Sequence, residues 1–277
     1  MAELHVGEYR YEHAAIVLRW AGATHEGARS MNEDSVFASF PVFLVADGMG
    51  GQASGDVASA LAIESFRTLK GRTLATVDGV EQSVERAFRA VRHEAAWHGA
   101  AGGTTLAGAV AVDVGGVAHW YVLNVGDSRT YLLERGVLQQ VSVDHSVVQE
   151  LVDAGAVERT AARTHPQRHV ITRAIGAGEE LAPDSWLLPA EQGQRLLVCS
   201  DGLSSELDDD EIAGVLRATP SPADAAASLV ARALRAGGRD NVTVVVVDVD
   251  EVSGAWELED THRGALVDDT VPTARRR

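Results

Sequence analysis

Cysteine is almost absent. Cys199 stands alone among 277 residues, so no intrachain disulfide can form, and the fold must rest on its core with help, if any, from bound metal. This cysteine usage fits a reducing compartment, and a cytoplasmic location is expected. Positive charge is also scarce. Lys and Arg number 24 against 40 Asp and Glu, a formal net charge of −16, which argues against sequence-independent nucleic-acid binding, where cations must meet phosphate. The only basic run is Arg275-Arg276-Arg277. Long apolar runs are missing too: none approaches the roughly 18 to 20 residues of a membrane helix, and the opening MAELHVGEYRYEH has no cationic start followed by an apolar stretch. No membrane span or secretion signal is expected.

What is present suffices for a sizeable core, with 45% hydrophobic and 23% charged residues. Short β-branched runs predict strands near residues 15–20, 36–40, 42–46, 105–112, 117–125, 130–133, 195–199 and 242–249. Three connections are short: Asp113-Val114-Gly115-Gly116, Gly126-Asp127-Ser128 and Glu134-Arg135-Gly136. Loops of this length predict antiparallel neighbours, because parallel pairs need long crossovers. Helical spacing appears over 53–69 (Ala58, Leu61, Ala62, Ser65, Phe66, Leu69) and over 80–95 (Val84, Ala87, Phe88, Val91, Ala95). A third helix is expected over 223–236, after Pro220 and Pro222 and before Gly237-Gly238. The pattern implies an α+β sandwich, sheets covered by helices. Residues 144–168 read as an insertion beside a site, with a short helix near 145–154. The chain after Val249 shows no further strand signal and ends as a flexible tail.

Acidic residues recur where apolar runs end: Glu33-Asp34, Asp47, Asp127, Asp201 and Asp240. Three of them adjoin glycine, in Asp47-Gly48, Gly126-Asp127 and Asp201-Gly202, as solitary turn aspartates also do. If they converge they form an anionic pocket. Two like charges at about 4 Å repel by about 4 kcal/mol at an effective dielectric near 20. Such a pocket needs a cation, and carboxylate and carbonyl oxygens select hard ions, Mg²⁺ or Mn²⁺.

Together these stretches resemble the PP2C (PPM) family of metal-dependent serine/threonine protein phosphatases in its bacterial form. The resemblance rests on Arg29-Ser30-Met31-Asn32-Glu33-Asp34-Ser35, Asp47-Gly48-Met49-Gly50-Gly51, Gly103-Thr104-Thr105, Val125-Gly126-Asp127-Ser128-Arg129, His165-Pro166 with Ile171-Thr172-Arg173-Ala174-Ile175-Gly176, Cys199-Ser200-Asp201-Gly202-Leu203, and Asp240-Asn241. They occur in the family's order over about residues 15–249. The resemblance implies an α-β-β-α fold, two antiparallel sheets face to face with helices on both outer sides. The catalytic domain would span 1–252, with a flap near 144–168 and a tail over 253–277.

The resemblance further implies a binuclear Mn²⁺ or Mg²⁺ centre. Asp47 would bridge the two ions, Asp201 and Asp240 would complete the first position, and Glu33 with the Gly48 carbonyl would serve the second. Asp34 would orient metal-bound water and Arg29 would hold the substrate phosphate; the alternative for Arg29 is a surface ion pair with Glu33 or Asp34. A third ion would bind through Asp127. The expected substrates are phosphoproteins, with Ser/Thr kinases as opposing partners. Two departures stand out. Met49 occupies the place where some members carry a histidine, leaving the proton donor open among metal-bound water, His145, His165 and His169. Ser205, followed by Glu206, replaces an acidic residue four positions after Asp201.

Other readings compete. Cys199 lacks the following arginine of a cysteine phosphatase loop and reads as a buried strand residue. Gly48-Met49-Gly50-Gly51 resembles a dinucleotide loop, but Asp47 would set a negative charge beside a pyrophosphate. A catalytically weak phosphoprotein-binding protein of the same fold, and an enzyme acting on small phosphorylated metabolites, are the remaining alternatives. Thr270 and Thr273, near Asp268-Asp269, are candidate phosphorylation sites.

Overall fold

The computed structural model describes residues 3–10, 15–50, 54–71, 73–98, 102–177 and 182–253. The expected tail, apart from its first residue, lies outside these residues, as do Thr270 and Thr273.

Strand β12 (Val242–Ser253) explains the architecture. Its valines 242, 244, 245, 246, 247 and 249 are all buried. Alternate residues point to opposite faces of a strand: Val245, Val247 and Val249 join the core between two sheets, while Val242, Val244 and Val246 join a core under helices. A strand covered on both faces reads as a continuous apolar run. The same division holds in β11 (Arg195–Cys199), with Leu196 and Val198 inward and Leu197 and Cys199 outward. It holds again in β4 (Val42–Met49), with Phe43 and Val45 inward and Leu44 and Ala46 outward.

One sheet runs β1 (Glu3–Arg10), β2 (Ala15–His25), β12, β11, β8 (Arg129–Glu134), β9 (Val137–Gln140); the other runs β10 (Asp184–Pro189), β7 (Val117–Val125), β6 (Leu106–Val114), β4, β3 (Asp34–Ser39). The short β5 (Gly103–Thr104) pairs with the end of β4. Helices α1 (Gly55–Glu64) and α2 (Val77–His98) bury Ala58, Ala62, Val84, Ala87, Phe88 and Val91 against the second sheet, and Phe66, just past α1, joins them. Helices α5 (Asp201–Ser204), α6 (Asp209–Ala218) and α7 (Pro222–Ala236) cover the first. Between the sheets, Phe43 meets Trp20 and Trp120 edge-on, with ring centroids 5.4 and 6.2 Å apart. Each such pair contributes about 0.5–1.5 kcal/mol beyond burial. This is the expected α-β-β-α sandwich. Among the described residues no helix is long and apolar enough to cross a membrane.

Several expectations change. Gly126-Asp127-Ser128 is not a hairpin: β7 and β8 lie in different sheets, and this loop carries the chain across the sandwich. Gly126 has φ 100°, and a Cβ there would sit 2.6 Å from the Thr105 side chain. Only glycine permits so tight a crossing. β12 continues past Val249 through a bulge to Ser253. The edge strands β1, β9 and β10, the two-residue β5 and the helix α6 were not expected. α6 does carry a sequence signal, a capping box in which Asp208 and Glu211 bond each other's backbone N–H. The segment between β9 and β10 contains α3 (Val147–Asp153) and α4 (Arg159–Ala162).

The charges at the start of β11 are paired. Arg195 and Asp248, both buried, form a two-pronged ion pair at 2.5 and 2.7 Å. Arg195 also donates to the carbonyls of Leu216, Thr219 and Pro220 at 2.6–2.7 Å, holding the end of α6. Removing one partner of a buried pair strands the other charge. Arg195→Ala is therefore expected to cost about 3–5 kcal/mol in urea unfolding; a loss under about 1 kcal/mol would show that the pair is dispensable.

Candidate functional site

The acidic residues meet at one end of the sandwich. Asp34 opens β3 and lies opposite Asp47 in the β3–β4 register. Asp127 sits in the inter-sheet loop, Asp201 starts α5 directly after β11 and Ser200, and Asp240 precedes β12. Arg29, Glu33, Asp47, Gly48, Asp127, Asp201 and Asp240 line one open cavity of about 610 Å³. Asp34 is the member of the predicted set that does not line it.

Close backbone approach makes this possible. A Cβ on Gly48 would lie 2.1 Å from the Gly55 carbonyl and 2.6 Å from the Glu33 carbonyl. Glycine thus lets the end of β4, the start of α1 and the Glu33 loop share one space.

The electrostatics are those of unpaired anions. Burial, and then the charges of Asp34, Asp201, Asp127 and Asp240, hold the Asp47 carboxyl well above its ordinary range. Asp127 is raised in the same way, by burial and then by Asp201 and Asp144. Asp34 is pushed up to about 7, chiefly by burial, against hydrogen bonds from Thr243 and Ser200. Burial and Asp56 raise Glu33.

The expected partners of these groups are only partly as read. Arg29 pairs with Asp240 at 2.7 Å, not with Glu33 or Asp34, and its side chain remains more than half exposed. His169 stands 3.5 Å from Asp201 at the cavity wall. His145 is buried, accepting from the Gly126 N–H and facing Asp184, which is a structural place. His165 accepts from the Gln167 N–H within its own loop. Ser205 lines the cavity, and Glu206 is held by Arg239 at 2.9 Å. Cys199 is a buried strand residue, its thiol pushed up to about 12 by burial.

Residues 144–168 do lie beside this cavity. Asp144 at their root accepts three contacts of 2.7–3.0 Å from Arg129. Arg163 donates to the carbonyls of Ser204 and Leu207. A second cavity of about 410 Å³ opens between this segment and α5–α6, sharing Asp127, Arg168, His169, Asp201 and Ser205 with the first.

The residues that sequence reasoning passed over are neutral hydrogen-bonding groups next to the acids. Thr105 Oγ1 accepts from the Asp47 N–H at 2.9 Å, and Thr104 Oγ1 donates to the Asp47 carbonyl at 3.0 Å. Ser59 donates to the Glu33 carbonyl. Asn241 accepts from the Glu33 N–H and donates to the carbonyls of Glu26 and Met31. Their signal was a Ser, Thr or Asn inside nearly every acidic motif.

Among the described residues no three His, Cys, Asp or Glu side chains close into one ready-made cage; the carboxylates surround a cavity instead. The donor set still suits hard divalent cations. It is all oxygen, it carries excess negative charge, and Asp34 Oδ1 is closed from solvent without a hydrogen-bond partner.

Comparison with known proteins agrees with this geometry. A family model described as protein phosphatase 2C matches residues 21–238. The serine/threonine protein phosphatase PstP of Mycobacterium tuberculosis is 42% identical over 242 residues, covering 84% of this chain and 45% of that protein. The chain thus spans about half the length of that relative. The serine/threonine phosphatase stp of Listeria monocytogenes is 33% identical over 218 residues, covering 76% of this chain and 85% of that one. A crystal structure of the catalytic domain of PstP in complex with two manganese ions superposes with a TM-score of 0.77 at 36% identity, covering 86% of this chain and 100% of that one. On its sequence, its fold and its cluster of acids, the chain belongs to the protein phosphatase 2C family.

Proposed function

We propose that this chain hydrolyses phosphoserine and phosphothreonine in proteins, opposing protein kinases, with residues 1–252 as its catalytic domain and two Mn²⁺ or Mg²⁺ ions at the cavity. The observation that supports this most is the convergence of Glu33, Asp47, Asp127, Asp201, Asp240 and Arg29 on one open cavity, in a family whose PstP member binds two manganese ions. Asp47 would bridge the ions, Asp201 and Asp240 would complete the first position, and Glu33 with the Gly48 carbonyl the second. A third ion at Asp127 is the least supported, because Ser205 contributes no charge and Glu206 is committed to Arg239. When bound, the ion pair cancels carboxylate repulsion and acidifies a water, making hydroxide available near neutral pH.

The chain's own groups do the rest. Arg29 offers a planar fork that matches two phosphate oxygens, a geometry lysine does not reproduce. Its partner here, Asp240, is itself 38% exposed, so this ion pair can exchange for a phosphate dianion. Asp34, whose Oδ1 has no partner, stands behind the cavity wall opposite Asp47 in the β3–β4 register; from there it would accept a hydrogen bond from a water held at Asp47 and orient it. Met49 cannot donate a proton to the leaving alkoxide; a water held in the metal site would supply it, and of the candidate histidines His169 is the one at the cavity wall. The segment over 144–168 would act as a flap that shapes access.

The decisive experiment adds Mn²⁺, Mg²⁺ or nothing to metal-stripped protein and follows phosphate release from a phosphothreonine peptide. Metal-dependent release is expected; none with any metal, from folded protein, would favour the phosphoprotein-binding alternative. Faster release from small phosphorylated metabolites than from the peptide would redirect the substrate class. Asp201→Asn and Asp240→Asn should each lower turnover by more than about 100-fold with the fold intact, and wild-type turnover in either would refute the metal assignment. Arg29→Ala should lower kcat/KM, through KM if its contact is uniform and through kcat if it tightens in the transition state; an unchanged value removes Arg29 from the site.

Stability gives an independent test. Asp34, Asp47 and Asp127 have raised carboxyl pKa values in the fold. They therefore keep protons that an unfolded chain has already lost, so their contribution is full below the ordinary carboxylate range and fades as pH rises through the folded values, about 7 for Asp34. Chelated protein should melt progressively lower from pH 5 to pH 8. Saturating Mn²⁺ should flatten that decline and raise Tm at pH 8, since about 100 Kd of ligand adds about 2.7 kcal/mol. A Tm in chelator that does not fall with pH would contradict the electrostatic account.

A further inference from the structure

Asp34 is held by a chain of hydrogen bonds whose direction can be deduced. Its Oδ2 lies 2.6 Å from Thr243 Oγ1 and 2.9 Å from Ser200 Oγ. In the ionised form that orienting a water requires, the Asp34 carboxylate only accepts, and a hydroxyl has one hydrogen to give. Thr243 therefore spends its hydrogen on Asp34. At the 2.7 Å contact between Thr24 and Thr243 the donor must then be Thr24. With that hydrogen spent, Thr24 Oγ1 is an acceptor toward Asn32 Nδ2 at 2.8 Å. The same amide presents Oδ1 to the N–H of Asp34 itself, at 3.1 Å. The ring closes on the residue where it began, and each hydroxyl in it has one direction. Ser200 adds a second clamp, since its Oγ accepts from the Thr243 N–H at 3.0 Å and donates to Asp34.

The ring also spans the sandwich. Thr24 and Thr243 are cross-strand neighbours on β2 and β12, and Ser200 follows β11, all in the first sheet. Asp34 begins β3 of the second sheet. Thr243 and Ser200 have no exposed surface. A carboxylate that merely tied two sheets together would have both oxygens satisfied. Here Oδ2 takes two hydroxyls and Oδ1 takes none; Asp47, the cross-strand neighbour of Asp34, lines the cavity, so the partner left for Oδ1 is a water seated beside Asp47 once the site fills.

We propose that Thr243, Ser200 and Thr24 are positioning residues: they lock Asp34 through Oδ2 so that Oδ1 stays free and fixed to orient the attacking water. The inference rests on the phosphatase reading, and it goes beyond it by assigning a role to three neutral residues that never touch substrate.

The test measures kcat and KM on a phosphothreonine peptide, and Mn²⁺ affinity by calorimetry, for the full chain carrying Thr243→Val, Ser200→Ala or Thr24→Val. Thr243→Val and Ser200→Ala are expected to lower kcat by about 10-fold or more, with KM and Mn²⁺ Kd within about twofold. Thr24→Val should act in the same direction but less, because Thr243 can still donate once unlocked. Thr243→Ser keeps the hydroxyl and should recover kcat to within about threefold of wild type. In an Asp34→Asn background, Thr243→Val should add less than about a twofold loss, since both act through one group. An active wild type matched by Thr243→Val, an equal loss in the Asp34→Asn background, or a fall in Mn²⁺ affinity parallel to kcat would each overturn the inference alone. If Thr243→Val does not fold, Ser200→Ala carries the same test. A wild type without turnover under any metal overturns the phosphatase reading, and this inference with it.

Discussion

Mutual repulsion among carboxylates at one end of the sandwich is the constraint to which the rest of the structure answers. Asp47 is raised by burial and by four neighbouring aspartates at once. At an effective dielectric near 20, each like pair at about 4 Å opposes folding by about 4 kcal/mol if both groups stay charged, which is comparable to the whole stability of a domain. Such a cluster survives only if the backbone beneath it cannot spread, and if the groups either hold protons or meet a cation.

The backbone is fixed by strands buried on both faces. Three apolar layers, one between the sheets and one outside each, leave β4, β11 and β12 no solvent-facing side along most of their length. β11 and β12 show how charge is distributed along that frame. At one end Arg195 pairs with Asp248, and Arg19 pairs with Asp250 and Asp248. At the other end, after Cys199 and before Val242, come Asp201 and Asp240. Along β11 the four residues from Leu196 to Cys199, roughly 13 Å at 3.3 Å each, separate paired from poorly paired charge. The asymmetry concentrates the electrostatic cost where a ligand can relieve it.

Much of this was legible in the sequence. Strands β7 and β11 have the predicted bounds, and the carboxylates stood out because each stands at one end of an apolar run, three of the six beside glycine. What failed did so for physical reasons. Gly126-Asp127-Ser128 has the length of a hairpin turn, and nothing local records that β7 and β8 enter different sheets. β1 and β10 are edge strands whose sequences carry few apolar residues, and β9 has only four residues. Arg29 invited an ion pair with its sequence neighbours Glu33 or Asp34, yet its partner is Asp240, 211 positions away. Contacts at that separation follow from topology, which local pattern does not encode.

The choice of hydrogen-bond donor divides the acids into two kinds. Asp144, Asp184, Asp248 and Glu206 are each held by an arginine: Arg129, Arg173, Arg195 and Arg239. Three acids of the predicted site are held by neutral groups instead: Thr243 and Ser200 bond the Asp34 carboxylate, Thr104 and Thr105 the Asp47 backbone, and Ser59 and Asn241 the Glu33 backbone. An arginine would fix geometry equally well, but it would discharge the negative potential that draws a divalent cation. Hydroxyls and an amide supply rigidity and leave the charge in place. Among the described residues the arginine paired with this set is Arg29, on Asp240, and here both partners are substantially exposed, at 55% and 38%, so it is a pair that solvent screening weakens and that a phosphate or a metal ion readily replaces.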